Sequence, residues 1–189
     1  MAQSADKDKN EKFDPGPITA YSARQTISKL TIGAKAVETD EQARPAFGKL
    51  NPYEHGILPV LVVMQNEGEQ TLTLEGIKAE YISPRGDHVE ATPAGDVKYV
   101  YGPRKPKMVP SPLPRLPGRS KSKNPLSAWA IEGRAFSARM LPPGQSESGF
   151  FYFQTGHQQG SKLYLTGIRE AGTGQELFFF EIPLEKTSR

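Results

Sequence analysis

Few side chains in this sequence have types and spacings that could do chemistry. The three histidines, His55, His88 and His157, are 33 and 69 residues apart, spacings that neither require nor exclude a shared site. The best local grouping is Asp87-His88-Val89-Glu90. On a strand, alternation puts His88 and Glu90 on one face, where imidazole and carboxylate could hold a divalent ion. A turn followed by an exposed polar strand explains the same residues and is the reading adopted. Cysteine is absent, which excludes disulfides, thiolate nucleophiles, Cys-ligated zinc and the cysteine-dependent blue-copper centre. Gly144-Gln145-Ser146-Glu147-Ser148-Gly149 approaches a nucleophile elbow, but it lacks the Gly-x-Ser-x-Gly spacing and a following helix. After Pro142-Pro143 it reads as a hairpin loop. Gly172-Thr173-Gly174 is too short for a phosphate loop and precedes a strand. Glu67 and Glu69 lie in a turn with nothing apolar to raise a carboxyl pKa. The expectation is a non-catalytic protein with neither cofactor nor metal.

One segment stands apart by charge. From Val97 to Ile131 there are eight cations, Lys98, Arg104, Lys105, Lys107, Arg115, Arg119, Lys121 and Lys123, and no acid. The chain's net charge is +3, so the rest is acidic overall. Seven prolines, Pro103, Pro106, Pro110, Pro112, Pro114, Pro117 and Pro125, fall in 102–125, a density that forbids helix and sheet ladders. Two readings stay open. The segment is either a docking arm that meets an acidic protein, an anionic polymer or a phospholipid surface, or a solvated insertion that contacts nothing specific. The docking reading assigns contact to Arg104, Lys105, Lys107, Arg115, Arg119, Lys121 and Lys123, with Trp129, the only tryptophan, as an exposed stacking platform. The plainer reading of Trp129 is a core plug beside a helical turn. Nucleic acid is the weaker target: Tyr99 and Tyr101 could stack on bases, but no nucleic-acid-binding motif accompanies them.

The elements that would position these residues are mostly strands. Leu30, Ile32, Ala34 and Ala36 alternate with polar or small residues. Ile57 to Met64 is the most apolar run and suits a strand covered on both faces, with Pro59 at a bulge or edge. Thr39 and Gln42 have capping-box spacing for a short helix that Pro45 confines to a turn or two. Leu72 and Leu74 share one parity and Ile77, Ala79 and Tyr81 the other, so Gly76 marks a bulge or a switch between sheets. Further strands are expected at 136–140, at Phe150-Phe151-Tyr152-Phe153 with rings on both faces, at 163–168, and at the end, where Phe178, Phe180, Ile182 and Leu184 point inward and Leu177 and Phe179 outward. Short strands between Gly, Pro and Asn turns predict an all-β sandwich. Residues 1–25 form a tail and lead-in, 26–184 a single domain with the insertion at 102–125, and 185–189 a second tail. No apolar run is long enough to span a membrane as a helix.

Leu141-Pro142-Pro143-Gly144 followed by Gly149-Phe150-Phe151-Tyr152-Phe153 resembles the turn-then-strand signature of immunoglobulin-like β-sandwich domains in exported bacterial proteins. The run 163–168 with 173–184 is similar to their closing hairpin, and Gly56 to Val63 followed by Asn66 fits the same pattern. The resemblance implies an immunoglobulin-like antiparallel sandwich in the periplasm or outside the cell, and no reaction. Met1-Ala2-Gln3-Ser4 reads as a start methionine before residues that follow a leader cleavage site. The function expected is protein–protein contact as a subunit or accessory factor of an envelope or extracellular assembly, homo-oligomers included. The alternatives are a module for an anionic or carbohydrate ligand and, further off, a metal-dependent hydrolase.

Overall fold

A computed structural model of the chain describes residues 13–100 and 124–185. Strands β1 (Arg24–Ile27), β2 (Leu30–Ala36) and β3 (Leu58–Asn66) flank helix α1 (Asp40–Phe47). Next come β4 (Leu72–Thr73), β5 (Lys78–Ile82), β6 (His88–Glu90), and the single turns α2 (Ala94–Val97) and α3 (Trp129–Gly133). The last strands are β7 (Met140–Leu141), β8 (Ser146–Phe153), β9 (Ser161–Thr166), β10 (Arg169–Glu170) and β11 (Phe180–Leu184). The fold is mostly β, with three antiparallel sheets ordered β1-β2-β3-β8, β10-β4-β7 and β11-β9-β5-β6.

Alternation sets the registers. Leu30 pairs with Asn66 and Ala36 with Val60, so Leu30, Ile32 and Ala34 enter one cluster with Val60, Val62 and Met64. Side chains of the third sheet, including Tyr81, Leu163, Phe180 and Ile182, fill the same cluster. The opposite face of the first sheet is covered as well: Leu61, Val63, Phe150 and Tyr152 pack beneath Ala43 and Phe47 of α1 and Ala130 and Ile131 of α3. β3 is therefore apolar along its length because both faces are covered. Pro59 sits inside β3, at neither a bulge nor an edge. The β2 ladder ends at Ala36 opposite Val60, and Val37 N–H still donates to the Pro59 carbonyl at 2.9 Å, so the missing proline N–H falls where the pairing stops.

Helix α1 begins as its spacing predicts, with Thr39 and Gln42 forming a reciprocal capping box, and it ends two residues after Pro45. The parity change near Gly76 is a switch between sheets, with β4 in the second and β5 in the third. β9 and β10 make the same crossing at Gly167, whose φ is +82°. A Cβ there would overlap the Gly76 carbonyl, so the two backbones touch where both chains turn the corner.

Three expected strand boundaries need correction. The strand at 136–140 contracts to Met140–Leu141, while Phe136 only donates its N–H to the Phe150 carbonyl at 3.0 Å. The 144–149 segment is a turn only to Gln145, because Ser146 already pairs with Gln65. The closing strand starts at Phe180, so parity fails before it: Leu177 is buried, and Phe178 is 78% exposed. Residues 13–25, which the sequence assigns to the lead-in, contribute buried Ile18, Tyr21 and Ala23.

Asn66 lies where β3 ends and is 1% exposed. Its Nδ2 donates to the Gln70 carbonyl at 2.8 Å and the Leu141 carbonyl at 3.0 Å, and its Oδ1 accepts from Gly68 N–H at 2.9 Å. Asn66→Ala would leave these groups short of partners, at a cost of roughly 2–4 kcal/mol. Urea unfolding is expected to show that drop, and a midpoint equal to wild type would refute the role given to this amide.

The Tyr21 hydroxyl donates to the Pro15 carbonyl at 2.7 Å. Burial, reinforced by the Asp14 carboxylate, pushes its pKa up to about 12. An unfolded tyrosine ionises near pH 10. Between about pH 10 and 12 the unfolded chain has therefore lost a proton that the folded chain keeps, and stability falls as pH rises. Tyr152, raised by burial against a smaller opposing effect of Arg134, acts in the same direction. In unfolding titrations across this window the Tyr21→Phe variant is expected to show a shallower fall, and an unchanged slope would contradict the assignment.

Candidate binding surface on the helical face

Of the residues that the sequence singles out for contact, Arg104, Lys105, Lys107, Arg115, Arg119, Lys121 and Lys123 lie outside the described residues. The two ends of their segment are described, and they meet. Asn124 Nδ2 donates to the Lys98 carbonyl at 2.6 Å, and Asn124 Oδ1 accepts from Leu126 N–H at 3.0 Å. Val97 and Leu126 are buried beside the ends. The cationic segment thus leaves and rejoins the fold at one place, on the layer of short helices.

Trp129 opens α3 on that layer and is 48% exposed, so it is not the core plug of the plainer reading. Helix α3 has one turn, and burial falls to Ala130 and Ile131. The Tyr152 hydroxyl clamps the turn by donating to the Ile131 carbonyl at 2.7 Å. The indole lies against Gly133, where a Cβ would come within 2.7 Å of the ring. The guanidinium of Arg134 sits 5.5 Å from the Trp129 ring centroid and 5.5 Å from that of Phe13, an arrangement in which each ring attracts the cation. Arg134 is held through its backbone, its carbonyl accepting from Phe150 N–H at 2.9 Å.

Between α1 and α3 runs a groove of about 720 Å³, lined by Arg44, Phe47, Lys49, Leu50, Trp129 and Arg134 among others. Phe47 anchors its floor through Phe150, ring centroids 4.8 Å apart. Among the described residues one carboxylate lines it, that of Asp40, which accepts from Asn51 Nδ2 at 2.9 Å. Arg44 and Lys49 are exposed and form no ion pair among the described residues. Nearby Glu132 is 3.3 Å from Lys98. Sequence reasoning found Trp129 and missed Arg44, Lys49 and Arg134, because the groove joins segments some eighty to ninety residues apart and no local pattern marks them.

Among the described residues, His88 and His157 make separate local contacts. His88 and Glu90 do share an exposed strand face, but His88 Nδ1 lies 2.6 Å from Glu80 Oε2 in a surface pair. His157 joins Tyr81 and Ser161 rather than another histidine. The Tyr81 oxygen contacts Ser161 Oγ, accepts from Gln158 N–H at 2.8 Å and lies 3.4 Å from His157 Nδ1. Ser161 and Tyr81 are both fully buried, so the hydroxyls fix the 154–160 loop and reach no solvent. Among the described residues no group of three or more His, Cys, Asp or Glu could hold a metal ion. No known family model matches the chain, and no curated protein matches it significantly.

Trp129, as the only tryptophan, reports on this surface without labelling. Acrylamide is expected to quench its fluorescence readily in the native state, and Arg134→Ala to raise the quenching further by uncovering the ring. A blue-shifted, quench-resistant emission would place the indole in the core instead.

Proposed function

We propose that the protein is a non-catalytic, exported immunoglobulin-like β-sandwich that acts by protein–protein contact, as a subunit or accessory factor of an envelope or extracellular assembly. The first and third sheets would be the leaves of the sandwich, a reading supported by the buried cluster they share. Export rests on the resemblance of the turn-then-strand segments to exported domains. The observation that carries the contact reading is the joining of Lys98 and Asn124, which roots the cationic segment on the same layer as exposed Trp129. A second reading, an anionic or carbohydrate ligand on this face, is favoured by the indole lying beside Arg44, Lys49 and Arg134.

Paired affinity capture from envelope and extracellular fractions tests the contact reading. One bait is the intact chain and the other lacks 103–123. Because Asn124 bonds to Lys98, the deletion rejoins ends that already lie close together and leaves the sheets in place. A partner recovered by the intact bait and lost or much reduced with the deleted one is the expected result. Capture by neither would remove the contact reading, and equal capture by both would take the cationic segment out of it.

A further inference from the structure

We propose that the groove between α1 and α3 receives an extended acidic peptide of the partner, its carboxylates meeting Arg44 and Lys49 and an apolar side chain packing beside Trp129 and Leu50. This deepens, and rests on, the contact reading above. The groove combines an apolar floor with an excess of cations: Asp40 is engaged by Asn51, and neither Arg44 nor Lys49 has an ion partner among the described residues. Its volume of about 720 Å³ lies in the range of sites that enclose a ligand of several residues' bulk, about 300–1,000 Å³.

Charge chooses among occupants. Residues 101–123 carry seven cations and no acid, so this segment, from the same chain or from a second copy, would meet like charge in the groove. An acidic segment meets complementary charge there, from Arg44, Lys49 and Arg134. The state of the indole favours a peptide over a polysaccharide. Sugar stacking needs an open ring face, whereas Arg134 already lies over the Trp129 ring and Gly133 packs against it. An apolar side chain needs no free ring face, since it can pack beside the half-exposed indole and against Leu50.

The test uses the full chain and an eight-residue peptide of sequence Glu-Glu-Leu-Glu-Glu-Leu-Glu-Glu, read by Trp129 emission. A saturable shift is expected, absent with the peptide in which lysine replaces glutamate. It should weaken by about tenfold or more in Arg44→Glu/Lys49→Glu, a variant at two exposed positions whose urea midpoint should match wild type. The 103–123 deletion should leave this short-peptide titration within about threefold of wild type, because the groove lies on the described fold. No saturable shift, or an equal one in the charge-reversed variant, would overturn the groove. Tighter binding of polygalacturonate than of the peptide would assign it to an acidic polysaccharide, and self-association abolished by the charge reversal would assign it to a second copy; either overturns the proposal. If the peptide fails while the intact bait still captures its partner, the groove falls and the contact reading stands. If partner capture fails with every bait, the contact reading falls with what rests on it.

Discussion

Hydrogen bonds from the side chain and backbone of buried Asn66 join the end of β3 to the chain entering β4 and to the 141–145 stretch that links β7 to β8. The Asn66 side chain holds the Gln70 carbonyl just before β4 and the Leu141 carbonyl at the end of β7, while its backbone N–H donates to Gln145 and its carbonyl accepts from Gly144. β4 and β7 are only two residues each, far short of what a free pair needs to persist in water. They remain paired because Asn66 fixes both to the end of β3, the most buried strand of the first sheet. Buried polar atoms tolerate few omissions, so the network works as a unit. From this joint the chain continues through the Gly76 and Gly167 contact into the third sheet, and the shared apolar cluster closes across all three sheets.

Much of this is legible in the residues because the signals are local. Alternation at Leu30 to Ala36, the Thr39 and Gln42 capping pair, and the parity change at Gly76 each sit within one turn or strand, and the structure follows them. Other features depend on what packs from elsewhere. The β1–β2 hairpin turns on Ser28 and Lys29, with φ of 49° and 62°, although neither is the glycine or asparagine that such a turn usually announces. The two strands pair from Arg24 opposite Gly33 to Ile27 opposite Leu30, so the ladder holds the turn and not the reverse. Phe178 continues the alternation of the last strand in sequence, yet it is exposed, since Leu177 N–H donates to the Ile168 carbonyl at 2.8 Å and draws Leu177 inward instead.

The aromatic strand changes meaning once its cover is known. Rings on both faces of Phe150 to Phe153 imply surplus apolar surface, to be met by another part of the chain or by another protein. Within the described residues the chain supplies the cover: Phe47 of α1 and Phe13 pack on Phe150, and α3 is clamped through Tyr152. Burial of this face holds the short helices in place, since a single turn such as α3 has little stability of its own. On this side of the first sheet the exposed apolar surface therefore lies further out, at residues such as Trp129 on the helices that cover the strand.

That displacement sets how the two contact elements would divide their work in the proposed function. A stretch with seven cations and no acid acts at a distance, raising the rate at which acidic surfaces arrive, and its effect fades with salt over a Debye length of about 8–10 Å. It discriminates poorly, because any anionic surface satisfies it. The groove is the converse: few charges, but set by α1 and α3 against an apolar floor, so that spacing and side-chain shape count. Since Asn124 and Lys98 root the first element on the helical layer that carries the second, in the proposed function a segment gathered by long-range charge would arrive near the place that can select it. Specificity in such an arrangement comes from the fold, through Phe47, Trp129 and the strand beneath them, and the rate of encounter from the sequence between 101 and 123.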